Sequence, residues 1–97
     1  MSKRPQATAT VQVDNERVRV TEWRFAPRAE TGEHVHRMDY IVVPTVNGRL
    51  TLVSPRGEES VTELKCGVSY FRKAGVHHNV INANDFEFAF VEIELKS

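Results

Sequence analysis

Four histidines stand in two tight clusters, His34 with His36 and His77 with His78. On an extended strand, residues i and i+2 face the same side. His34 and His36 therefore project together, with β-carbons about 7 Å apart on ordinary strand rise. Two imidazoles at that separation can converge on one ion, each nitrogen about 2.0–2.2 Å from it. A third ligand from a neighbouring strand would complete a facial set and leave the remaining positions open. His77 and His78 are sequence neighbours, so only one of them can share that face. An isolated H-V-H is a weak signal, because half-exposed histidine pairs near turns are common. The second cluster and its spacing give it weight.

Strands must position these side chains, because the dominant hydrophobic period is two. Ala7 to Val13 alternates and is rich in β-branched residues. Arg17 to Phe25 follows, with Val18, Val20, Trp23 and Phe25 as its apolar members. Asp14-Asn15 marks a turn between them, and Ala26-Pro27 ends the second run. Val35 to Val43 is the next expected strand, closed by Pro44. Asn47-Gly48 is the strongest short hairpin signal. Arg49 to Ser54, Ser60 to Leu64, Val68 to Phe71 and Val76 to Ile81 come next, with Pro55-Arg56-Gly57 as a turn. Phe86 to Leu95 is the clearest strand. Its apolar parity shifts between Phe90 and Ile93, which predicts a bulge or burial on both faces. No segment shows ten or more residues of helical periodicity. Eight or so short strands at this spacing predict an all-β sandwich or barrel.

The 97 residues allow one domain. The sequence predicts a flexible N-terminal tail over 1–6 and a single domain over 7–97. Hydrophobic residues make up 40% and charged residues 27%, a globular composition. Thirteen Lys and Arg balance thirteen Asp and Glu. That neutrality argues against a nucleic-acid partner, whose affinity would need a basic face, and against anionic lipid. Unbroken apolar runs such as Phe88 to Val91 are far too short to cross a bilayer. Met1 to Arg4 is basic, but Pro5-Gln6-Ala7-Thr8 stands where a signal peptide needs an apolar core. The single cysteine, Cys66, excludes an intrachain disulfide. The expected location is cytoplasmic, and a domain this small is expected to form a homodimer.

The histidine clusters sit inside two longer patterns. The first is Gly32-Glu33-His34-Val35-His36 with Gly48 twelve positions after His36. The second is Gly67, Gly75, His78 and Asn82. In both, the chain resembles the cupin superfamily, small β-barrels of jelly-roll type with essentially no helix. The motifs span Gly32 to Asn82, about half the chain. The resemblance implies His34, His36 and His78 as ligands of one divalent transition metal, Fe, Zn, Ni, Mn or Cu. It leaves His77 on the opposite face and gives Asn82 a turn-stabilising role. Gly67 and Gly75 are expected at tight turns with positive φ.

Two positions depart from the family pattern. Lys73 replaces a proline, which affects a turn. The motif glutamate is missing, its two possible positions being Tyr40 and Ile41. The nearby carboxylate, Asp39, points away from His36 on strict alternation, which favours three histidines without a carboxylate. Asp39 reaches the ion only if a bulge turns it inward. Three neutral imidazoles leave an ion its full charge, so bound water is more acidic and an anionic or chelating substrate is drawn in more strongly. Three-histidine cupins are similar to thiol dioxygenases and some diketone-cleaving oxygenases, which use Fe(II). The run Asp39 to Pro44 also resembles small cupins of catabolic settings such as β-alanine degradation.

Met38, Tyr40, Tyr70, Phe88, Phe90 and Trp23 are candidates for the pocket wall, with barrel filling as their ordinary role. Tyr40 is the catalytic candidate, since it shares the His36 face by parity and its phenol can donate to a bound substrate. Arg72 and Lys73 belong near the rim, and Arg72 is a minority candidate for a substrate carboxylate. Cys66 reads as a packing or rim residue. The leading function is a metal-dependent enzyme on a small molecule, oxygenase-like. The alternatives are a non-catalytic ligand-binding or sensor cupin, and a metal-free isomerase or dehydratase in which His36 or His78 is the base and Tyr40 the acid.

Overall fold

Alternation of apolar and polar residues resolves into nine strands. The structure is a computed structural model, and it describes residues 4–96. The strands are β1 (Thr8–Asp14), β2 (Val18–Phe25), β3 (His34–Val35), β4 (Asp39–Pro44), β5 (Gly48–Val53), β6 (Glu59–Leu64), β7 (Tyr70–Arg72), β8 (His77–Asn82) and β9 (Phe88–Leu95). No helix forms among the described residues, and so none is long and apolar enough to cross a membrane. One sheet runs β1-β2-β9-β4-β7 and the other β3-β8-β5-β6, every strand pair being antiparallel. The two inner faces enclose the core, as in a small all-β barrel.

Residues 1–3 of the expected tail lie outside the described residues. Pro5 and Gln6 dock on the chain between β2 and β3. The Pro5 carbonyl accepts from Glu30 N at 2.9 Å, and Gln6 Nε2 donates to the Thr31 carbonyl at 2.9 Å.

The expected single strand over 35–43 is two strands in two sheets. Between Val35 and Asp39 the chain leaves the β3–β8 pair and enters the other sheet between β9 and β7. His36 sits at that corner. Its N–H donates to the Val76 carbonyl at 2.8 Å, and its carbonyl accepts from Gly75 N at 2.7 Å.

The Asn47-Gly48 hairpin does not form. β4 and β5 belong to different sheets, so this dipeptide carries the chain across the barrel. Gly48 is there for space: a β-carbon on it would stand 2.8 Å from Phe88 Cδ1 and 2.9 Å from Asn84 Nδ2. Gly67 and Gly75 do take positive φ, 81° and 103°.

β9 pairs in unbroken register with both β2 and β4. Its parity shift is therefore burial on both faces, and the bulge lies in β1, between Val11 and Val13. At the closed end of the barrel, Phe25, Phe88 and Leu50 are almost fully buried, with Phe25 and Phe90 rings 5.5 Å apart. Asn82 is completely buried beside them. Its side-chain amide donates to the carbonyls of Phe25, Ala26 and Phe86 at 3.2, 3.1 and 2.9 Å, and its Oδ1 accepts from Asn84 N at 2.9 Å. That is the turn-holding role the family resemblance implies for it.

Candidate metal centre

Antiparallel pairing sets the histidines. His34 lies directly opposite His78, and Val35 opposite His77. Paired residues share a face, so His34 and His78 turn inward together. Val35 and His77 turn outward and are exposed. His77 Nε2 pairs with Glu33 at 2.7 Å on that outer side. His36 joins the inner pair from the corner.

The three inward rings meet at their Nε2 atoms. His34 Nε2 is 3.0 Å from His36 Nε2, and His36 Nε2 is 3.2 Å from His78 Nε2. Ligand nitrogens about 2.1 Å from one ion and 90–109° apart are separated by about 3.0–3.4 Å. These two separations match that range. The three candidate ligand atoms all lie within 4.8 Å of one another. His34 Nδ1 donates to the Gly32 carbonyl at 2.8 Å, which places its proton on the far nitrogen and leaves Nε2 free for an ion. Burial, reinforced by His34, holds the His36 pKa down at about 4. Burial, with His34 and His36 adding to it, also holds His78 at about 4. Both rings are neutral at neutral pH, as metal ligation requires.

Tyr40 occupies one of the two positions where the motif calls for glutamate. Its ring stacks on His36, centroids 3.9 Å apart and planes 19° apart. It is 3% exposed. Burial, with Glu92 and Tyr70 adding and Arg72 opposing, pushes its phenol up to about 12, so it keeps its proton. Asp39 is turned outward, its Oδ1 accepting from Ala74 N at 2.8 Å in the β7–β8 turn. The cluster is three histidines without it.

The cluster forms part of the wall of a cavity of about 410 Å³. Trp23, Tyr40, Tyr70, Phe90 and Arg72 line it, as the sequence suggests. Met38, Phe88 and Lys73 do not. The Arg72 guanidinium lies 4.6 Å from the Tyr70 ring centre, at an exposed position on the mouth.

Sequence reasoning missed one inner residue, Glu92. It is 8% exposed, and its Oε2 stands 4.0 Å from His36 Nδ1. Burial, with Glu94 adding and Trp23 opposing, raises its pKa to about 7. The signal was in β9: unbroken alternation puts Glu92 and Glu94 on the same face as Phe88 and Phe90. Both carboxylates do line the cavity.

A jelly-roll barrel with two histidines on one strand pair and a third at the adjoining corner is the arrangement of a cupin, and this chain belongs to the cupin superfamily. It is 59% identical to a crystallised cupin domain of Bordetella pertussis Tohama I, covering 100% of both chains with a TM-score of 0.96. It is also 60% identical to the β-alanine degradation protein BauB of Pseudomonas aeruginosa, over 99% of this chain and 100% of that one. A cupin superfamily protein of Desulfitobacterium hafniense shares the fold, with a TM-score of 0.72, at 14% identity over 100% of this chain and 84% of that one. No family model matches the sequence.

Proposed function

We propose that the protein is a metal-dependent cupin enzyme acting on a small molecule, with His34, His36 and His78 as ligands of one divalent transition ion. The observation that carries this reading is the approach of three Nε2 atoms, 3.0 and 3.2 Å apart, in the wall of a cavity. A bound ion would supply a Lewis-acidic centre with positions left for a chelating substrate. The chain's own residues do the rest. Trp23, Tyr70 and Phe90 present an apolar wall that excludes water from the bound molecule. Tyr40, protonated throughout the physiological range, is the catalytic candidate as hydrogen-bond donor to the substrate. The likeness to BauB points the substrate search to small acids of β-alanine breakdown.

The test is turnover. Metal-free protein is reloaded with Fe(II), Mn(II), Ni(II), Cu(II) or Zn(II) and offered β-alanine and three-carbon acids derived from it, with dioxygen uptake and product formation followed. One ion should support turnover that His78→Ala abolishes and Tyr40→Phe reduces by about 10²–10⁴-fold. Binding without turnover under every ion would favour the sensor reading.

We also propose a homodimer. The outer face of the five-stranded sheet carries Val18, Val20, Ile41, Val43, Val91 and Ile93 as cross-strand neighbours, all half-buried in the single chain. A continuous apolar sheet face of this kind suits a second copy. Sedimentation equilibrium should give twice the chain mass, and Ile93→Glu should give one chain mass.

A further inference from the structure

Two further cavity side chains stand against the His36 ring: Tyr40 covers one face of it, and Glu92 faces its Nδ1 edge. We propose that Glu92 is the positioning residue of the metal centre: its carboxylate receives the Nδ1–H of His36 and so holds Nε2 toward the ion. This rests on the metal-binding reading above and adds to it the carboxylate that the motif position itself lacks.

Three observations carry the inference. His34 shows what its partner needs, since its Nδ1 is engaged by the Gly32 carbonyl at 2.8 Å and its Nε2 is thereby freed. His36 has no such backbone acceptor among the described residues; Glu92 Oε2 at 4.0 Å is the carboxylate that faces its Nδ1. Glu92 itself sits nearly buried on the inner face of β9, where a carboxylate is costly unless it is partnered; the Trp23 side chain is one hydrogen-bond partner, and the His36 Nδ1 edge is the other polar group it faces. Its chain neighbour Glu94 is paired with Arg19 at 3.9 Å, whereas Glu92 has no Lys or Arg partner among the described residues. A distance of 4.0 Å is too long for a hydrogen bond, and about 1 Å of side-chain adjustment into the adjoining cavity makes one. Carboxylate-to-imidazole support of this kind fixes the tautomer and raises ligand basicity.

The experiment compares the full chain with Glu92→Gln, Glu92→Asp and Glu92→Leu. Zinc affinity is measured by competition with a chromophoric chelator, and the protonated nitrogen of His36 by ¹⁵N-resolved NMR of the metal-free protein. In the wild type His36 should carry its proton on Nδ1. Glu92→Leu should weaken zinc binding about 10–100-fold and shift the His36 proton toward Nε2. Glu92→Gln keeps an acceptor oxygen in place and should stay within a few-fold of wild type. Glu92→Asp withdraws the carboxylate by one methylene and should fall between them, which tests the idea even if the leucine variant does not fold. Packing alone would change the melting temperature without moving the His36 proton. Zinc affinity within threefold of wild type in both the leucine and aspartate variants, or in the aspartate variant alone if the leucine variant is unfolded, overturns the role of Glu92 and leaves the three-histidine reading standing. Absence of zinc binding in the wild type sinks both.

Discussion

The two halves of β9 build opposite kinds of interior. At Phe88 the strand closes the barrel, its ring under Gly48 and Asn82 tying three backbone carbonyls beside it, and Phe90, packed on Phe25, forms the boundary with the cavity. At Glu92 and Glu94, two turns of the pleat further on, the same face lines a cavity beside three imidazoles. The first half gains stability from contact and from satisfied polar groups. The second gives up close packing and holds titratable groups out of water. Stability and chemistry are therefore separable along one strand, and substitutions at the two ends should have opposite signatures.

The largest expected effect on folding is at the packed end. Phe88→Ala removes a completely buried ring and should cost about 3–5 kcal/mol in urea unfolding. His78→Ala, at the cavity end, should leave the metal-free melting temperature within a few degrees of wild type. A large loss from the histidine change and a small one from the phenylalanine change would break the contrast. Gly48→Ala should come next, about 1–3 kcal/mol, because its methyl meets the Phe88 ring at 2.8 Å.

Between pH 7 and pH 5, acid should act chiefly through the cavity end. The unfolded chain takes up protons on His36 and His78 near the ordinary histidine value of about 6.5, whereas the folded chain does so only near 4. Between those values the unfolded state binds more protons, so these two groups lower the stability of the metal-free protein as pH falls. Glu92 works against them. Its folded pKa, about 7, lies above the ordinary glutamate value of 4.5, so over that window the folded chain holds the extra proton and gains stability as pH falls. Glu92→Gln should therefore steepen the acid loss of melting temperature measured in chelator from pH 7 to pH 5. An unchanged or shallower profile would contradict this balance. The smallest effect is expected outside the barrel: Glu33→Gln breaks the exposed pair with His77 and should change stability by no more than about 1 kcal/mol without altering zinc affinity.

Much of this architecture was legible in the sequence, and the exceptions have physical causes. Alternation located nearly every strand, because one face of most of them is at least partly buried, while β1, exposed along its length, still alternates β-branched residues. It could not show that the run from Val35 to Val43 bends between sheets at His36, since a corner and a straight strand share the same apolar pattern. Asn47-Gly48 misled because a glycine chosen for a close ring contact is written with the same letter as one chosen for a turn. His34, His36 and His78 were readable from spacing and family resemblance, and His77 was separable from His78 by parity. Glu92 was overlooked because a carboxylate in an apolar strand is ordinarily taken to mark the solvent side. Here the phenylalanines two and four residues earlier mark its face as the inner one.

The central claim is that His34, His36 and His78 hold one metal ion. Elemental analysis of freshly purified wild type, His78→Ala and His77→Ala tests it most directly. The account predicts about one transition-metal ion per chain in wild type and in His77→Ala, and a near-complete loss in His78→Ala. Equal metal content in all three proteins, or loss from His77→Ala with retention in His78→Ala, would contradict it.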